Sequence, residues 1–413
     1  MSTKTYWLFE INLQDTCARF EKYSRELDIF RSLNRIIEIN LQDTCTRFEK
    51  YSSELDIFRS LNRIFANKNT QYNMKKRILL LMAMVSIIAA LPAEARKKEK
   101  TTPEEKGLQC INRNTAQAYV EFLASDALMG REAGTGHGQI AGEYLISILK
   151  LMGATPLFEE GFGQPFTVYS AERRDAQFTV DAMKIERLKK KPHRTAPMRN
   201  ILAKIDGKNP EEIVVVGAHY DHLGYDPLLQ GDKIFNGADD NASGVQAVLQ
   251  ILKAFMATGE QPERTVIFAF WDGEEKGLFG SKYFVQNFPE IKRVKGYMNF
   301  DMIGRNNMEH RPQQLKYLYL AKDSVYATWL NDDIKKYSLA LDPDFLPSDD
   351  LSGGSDQVPF FNAGASIVWY HTDGHPDYHM PSDHAERINW DKMVDITKAA
   401  FLCLWKMANR EFN

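Results

Sequence analysis

Cysteine is scarce and scattered. Cys17, Cys45, Cys110 and Cys403 form no close pairs, which excludes a zinc-finger pattern. A surplus of one charge is also missing. The formal net charge is -3, so no basic field is available to draw nucleic acid. No apolar run reaches the ~20 residues of a membrane span, and the stretch from Ile78 to Leu91 stops short of it. Histidine is absent before residue 137, and four of the nine (His371, His375, His379 and His384) crowd into one short stretch. Such clustering suits metal binding or a His-rich surface loop. The 413 residues are 44% hydrophobic, enough for a sizeable core.

Three zones follow one another. Residues 1–73 contain a tandem repeat: EINLQDTCARFEKYSRELDIFRSLNRI returns as EINLQDTCTRFEKYSSELDIFRSLNRI, differing at Ala18/Thr46 and Arg25/Ser53. Two copies are too few for a self-supporting solenoid, and the repeat is expected to lie outside the enzyme. Residues 74–95 read as a secretory signal peptide. Lys75, Lys76 and Arg77 precede the apolar run, and Ala93-Glu94-Ala95 offers a small-x-small cleavage site. Export to the periplasm or the medium is therefore expected, with no membrane span left in the mature chain. Residues 96–413 are expected to form a single catalytic domain. Of its two cysteines, Cys110 and Cys403, nothing in the sequence fixes whether they pair.

Periodicity in the third zone alternates. Helical spacing covers Asn114–Ser125, Gly138–Met152, Ser243–Met256, Leu278–Phe288 and Asp391–Ala408. Apolar strands are expected at Glu212–Ala218, Arg264–Trp271, Lys295–Phe300 and Ala365–Tyr370. This is an α/β pattern with a sheet covered on both faces. Ligands of open α/β sheets collect at the carboxyl ends of the strands. His219, the Glu274–Glu275 pair, Asp301 and the histidine stretch each follow a strand end, and Asp239 precedes a helix.

Each motif has a chemical and a plain reading. In HYDH, His219 suits zinc and Asp221 suits orienting its ring; a satisfied strand-end histidine is the alternative. His222 reads as a wall residue. In GADDNASG, one aspartate is explained as a helix cap. Two among small residues point further, and Asp239 is the expected carboxylate bridging two cations. In WDGEEKG, one glutamate as ligand and one as proton carrier relieves the repulsion of the pair. Asp301 inside NFDMIG is costly unless paired or metal-bound. Spacing alone does not choose among His371, His375 and His379.

HYDHLG, GADDNASG, DGEEKGLFGS, NFDMIG and HPDYHMPSD, in that order, resemble the family-twenty-eight zinc metallopeptidases. The resemblance covers roughly residues 122–407. It implies a three-layer α/β/α zinc-exopeptidase fold with a mixed central sheet. It also implies two zinc ions held by His219, Asp239, Glu275, Asp301 and His379, and peptide substrates with free N-termini. Glu274 would be the general base, Asp221 the residue orienting His219, and Tyr378 the group polarising the substrate carbonyl. A cis peptide is expected at Asp239-Asp240. The segment 157–199 is too short for the inserted protease-associated domain of many relatives. Glutaminyl cyclases share the DGEE-type motif and offer a rival activity, and a non-catalytic metal-binding ectodomain is a second.

Overall fold

A computed structural model describes residues 101–173, 175–306, 310–347 and 354–411. The repeat and the export signal lie outside the described residues. Residues Lys100–Asn413 form one compact unit.

The unit opens on α1 (Pro103–Leu108), α2 (Arg113–Leu123) and α3 (Gly136–Met152). Local chemistry sets their ends. The Asn112 side chain accepts from the Thr115 amide ahead of α2, and Gly153 turns left-handed after α3 at φ 72°. Next come β1 (Thr155–Pro156), β2 (Gly163–Ala171), α4 (Ala182–Leu188), β3 (His193–Ile205), β4 (Asn209–His219) and the small pair β5 (Gly224–Tyr225) and β6 (Ile234–Phe235). The second half holds α5 (Gly244–Thr258), β7 (Arg264–Trp271), α6 (Phe279–Asn287), β8 (Val294–Phe300) and β9 (Gln314–Tyr319). It closes with α7 (Val325–Tyr337), β10 (Asp342–Pro347), α8 (Gln357–Asn362), β11 (Ser366–His371) and α9 (Trp390–Asn409).

Nine strands make one mixed sheet, ordered β1-β3-β7-β4-β8-β11-β9-β10 with β2 on β3. The central four, β7, β4, β8 and β11, run parallel. Their carboxyl ends therefore share one edge, where His219 lies opposite Trp271 and Tyr370 opposite Phe300.

Strand alternation builds the layers. Val266, Phe268 and Phe270 of β7 join a core with Val248 and Phe255 of α5 and Phe401 of α9. Ile267, Ala269 and Trp271 face the other way, onto Phe284 of α6 and Phe360 of α8. Each valine, isoleucine and phenylalanine among them contributes about 1.5–3 kcal/mol on burial. The fold is thus α/β with helices on both faces of a mixed sheet, as the resemblance implied.

The expected elements appear within a few residues of their positions. The β2–β3 pair, β9 and the edge strand β10 were not anticipated. Cys110 and Cys403 are both free; the Cys403 thiol is buried beside the Tyr317 hydroxyl at 3.6 Å. Among the described residues, no helix is long and apolar enough to cross a membrane.

Candidate metal centre

Four strand ends and one loop deliver the site. His219 closes β4, and Glu274 and Glu275 stand in the turn after β7. Asp301 follows β8, and His379 lies on the loop after β11. The loop before α5 supplies an aspartate. Gly237 starts that loop at φ 59°, where an added Cβ would run into the Asp240 carbonyl and the His222 ring. Only glycine fits there.

The aspartate at the centre is Asp240, not Asp239. His219 Nε2 lies 3.2 Å from Asp240 Oδ1 and 3.6 Å from Asp301 Oδ1. His379 Nε2 lies 3.2 Å from Asp240 Oδ2 and 3.1 Å from Glu275 Oε2. Two groups with metal-ligand geometry result, His219–Asp240–Asp301 and His222–Asp240–Glu275, and Asp240 is common to both. Asp239 is turned away. Its Oδ1 accepts from the Gly304 amide at 2.6 Å, and its Oδ2 faces His375 Nε2 at 3.1 Å. The reason is local. Asp383 Oδ2 accepts from the amides of Asp239 and Asp240 at 3.0 Å each, which pins the two residues with their side chains on different sides. The cis peptide is also one residue later than expected, at Asp240-Asn241.

The other sequence candidates fall as follows. His219, Glu275, Asp301 and His379 meet around Asp240. Asp221 lies behind His219, its carbonyl 3.2 Å and its Oδ1 3.7 Å from Nδ1. The Glu274 amide donates to that same Oδ1 at 3.0 Å. Tyr378 is half-exposed at the rim, its ring stacked on His379 with centroids 3.9 Å apart. His379 itself holds φ at 56°, a costly conformation for a side chain with a Cβ and one that clusters at functional sites. The other histidines of the stretch point elsewhere: His371 Nδ1 contacts the Asp301 carbonyl and His375 faces Asp239.

Sequence reasoning missed two residues. His222 is fully buried, with Nδ1 2.6 Å from Glu275 Oε1 and Nε2 without a hydrogen-bond partner. Arg131 is fully buried too. Its guanidinium donates to the carbonyls of Tyr220, Leu123, Asn236, Gly237 and Asp240. It therefore ties the His219 loop to the Asp240 loop. The only sequence signal was an arginine flanked by glycines in MGREAG, which no periodicity singles out.

Electrostatics here demand positive charge. Burial opposes ionisation of Asp240, but His222, His219 and His379 hold it well below the usual carboxylate range. Burial also opposes protonation of His379, yet Asp240 and Glu275 lift it to about 10. His219 is lifted against burial in the same way by Glu274, Asp240 and Asp301. Glu274 and Asp221 are pushed well up, chiefly by burial. A dication answers the same demand. Imidazole and carboxylate donors in groups of three, with a buried orphan nitrogen on His222, suit zinc.

Comparison with known proteins agrees. Aminopeptidase YwaD of Bacillus subtilis is 29% identical over 212 residues, 49% of this chain and 43% of that protein. The chain spans less than half the length of the curated relatives it matches first. Among solved structures, a zinc aminopeptidase from Bacillus subtilis matches at TM-score 0.56 and 17% identity, covering 72% of this chain and 96% of that one. A glutaminyl cyclase of Porphyromonas gingivalis matches at TM-score 0.52 and 17% identity, covering 72% and 99%. At such identities these two likenesses speak for the fold alone. Residues 200–403, which hold His219, Asp240, Glu274, Glu275, Asp301 and His379, match the family described as Peptidase family M28, and this region of the chain belongs to that family.

Proposed function

We propose that the chain is an exported aminopeptidase that binds two zinc ions and releases residues from peptides with free N-termini. The observation that carries this reading is the sharing of Asp240 between two histidine–carboxylate groups. A carboxylate with each oxygen facing a different group suits a pair of ions. His219, Asp240 and Asp301 would hold one ion, and Asp240, Glu275 and His379 the other. His222, hydrogen-bonded to Glu275 Oε1, would fix the orientation of that ligand.

When bound, zinc supplies Lewis acidity toward a water and toward the scissile carbonyl. The chain's own residues do the rest. Glu274 takes the proton of the attacking water and passes it to the leaving amine. Burial keeps the Glu274 carboxyl basic enough for the first transfer. The Tyr378 hydroxyl, at the rim beside His379, donates to the carbonyl oxygen as charge develops there. Asp221 restrains both partners, facing the His219 ring and accepting from the Glu274 amide. Export rests on the signal read at residues 74–95.

The fold is shared with a glutaminyl cyclase, so fold does not choose between hydrolysis and cyclisation. The doubly used Asp240 favours hydrolysis, and so does the likeness to the Bacillus subtilis aminopeptidase. The test pairs metal analysis with substrates. Two zinc per chain, amino-acid release from Leu-led peptides and no action on N-blocked ones are expected. Ammonia release from Gln-led peptides without amino-acid release would overturn the reading, as would full activity after exhaustive chelation.

A further inference from the structure

A cavity of about 740 Å³ opens beside Glu275. One wall is the turn after β7, with Lys276 and Gly277, continued by Phe279, Lys282 and Gln286 of α6. The opposite wall is the segment from Gln177 to Asp181 with Lys184 of α4. That wall precedes residue 200, where the match to the peptidase family begins. It lies outside the matched region and closes the site from the other side.

The charges of the cavity do not cancel. Its ionisable groups are Lys184, Lys276 and Lys282 against Asp181 and Glu275. Glu275 is engaged by His222 and His379, and Lys276 by Glu132 at 2.7 Å. Lys282 Nζ donates to the Gly277 carbonyl at 2.8 Å, which holds an ammonium over the turn without neutralising it. Neither Lys184 nor Lys282 has a carboxylate at ion-pair distance among the described residues. Asp181 is the N-cap of α4, its Oδ1 accepting from the Lys184 amide. One uncancelled positive charge remains. Beneath it lie the buried side chains of Val180 and Phe279, an apolar floor for a hydrocarbon stem.

We propose that this cavity binds the leaving part of the substrate and selects for a carboxylate on it. The carboxylate is either an acidic side chain downstream of the cleaved bond or the C-terminus of a short peptide. The inference rests on the peptidase reading of the adjoining centre. An apolar floor under two ammonium groups recognises a carboxylate on a short stem, and its amide only weakly.

The test uses the zinc-loaded full chain and two peptide pairs. Leu-Gly-Glu-amide against Leu-Gly-Gln-amide isolates the side chain. Leu-Gly-Gln against its C-terminal amide isolates the terminus. In at least one pair the carboxylate should raise kcat/KM about fivefold, the scale of one or two half-exposed ion pairs. The preference should fade at ~1 M salt, where screening is nearly complete. Lys184→Glu and Lys282→Glu should each drive the preference ratio toward one, and Lys184→Arg should retain it. Hydrolysis of both pairs without a carboxylate preference overturns the inference and leaves the peptidase reading intact, and so does a preference that survives both charge reversals. If no peptide is hydrolysed, the peptidase reading falls. The calorimetric Kd for each pair then decides the cavity on its own, with equal Kd overturning it.

Discussion

Asp239 and Asp240 are neighbours with separate tasks, and exchanging each for asparagine tells them apart. Asp240 stands 3.2 Å from both His219 and His379 and belongs to both candidate metal groups. Asparagine there removes one of the three carboxylates, Asp240, Asp301 and Glu275, assigned to the ions. Loss of a partner that merely supports a ligand costs about 10- to 100-fold in metal affinity. Loss of a ligand shared by both ions should exceed that range, a deficit of more than about 2.7 kcal/mol. Asparagine at 239 acts differently. It keeps an oxygen for the Gly304 amide, 2.6 Å away in the wild type, and loses only the charge facing His375. The expected effect is roughly 1–3 kcal/mol of stability, with metal affinity changed by less than about tenfold. Competition with a chromophoric chelator measures the affinity, and metal per chain after dialysis measures retention. An Asp240→Asn protein that keeps two zinc ions, beside an Asp239→Asn protein that loses them, would refute the assignment of the shared ligand.

Three further outcomes are expected. Glu274→Gln should retain both metals and lose about 100- to 10,000-fold in kcat, the usual share of a general base; metal analysis beside rate measurement checks it. Arg131→Met leaves buried carbonyls at Tyr220, Asn236, Gly237 and Asp240 without their donor, and should cost more than about 3 kcal/mol in denaturant unfolding. Burial lowers Lys392 from 10.5 to about 8, so the unfolded chain holds that proton more firmly than the folded one between these values. Stability should therefore rise with pH across that window, and Lys392→Met should remove the rise in a series of melts.

The parallel heart of the sheet was legible because its strands are buried on both faces and read as apolar runs. Val214–Val216, Arg264–Trp271 and Ser366–Tyr370 needed no context. The β2–β3 pair was not legible. Its burial alternates with exposed positions such as Pro165 and Thr167, and β3 opens on His193, Arg194 and Thr195. β3 is fixed by pairing with β7 and β2 by pairing with β3, which sequence pattern does not report. The chemistry of the site was legible as residue types at strand ends. The choice between adjacent aspartates was not. It depends on the Asp383 side chain gripping two amides from more than a hundred residues away, and on the turn that follows.

The same long-range logic explains why the two unanticipated residues, Arg131 and His222, carry no periodic signature. A metal centre assembled from strand ends has precise side chains on irregular backbone, and irregular backbone leaves carbonyls without partners. Arg131 meets that need from behind. Five of its contacts are to carbonyl oxygens, none to a carboxylate, so its charge stays unneutralised by direct pairing in a wholly buried position. Burial lowers its proton affinity, while Asp240, Asp221, Asp383 and Glu275 act against that. The anions of the centre thus help hold a guanidinium in the interior, and the guanidinium holds the loops that carry two of those anions. Its partners are carbonyls of separate loops, which is why the arginine cannot be read as part of the site until the loops are seen folded around it.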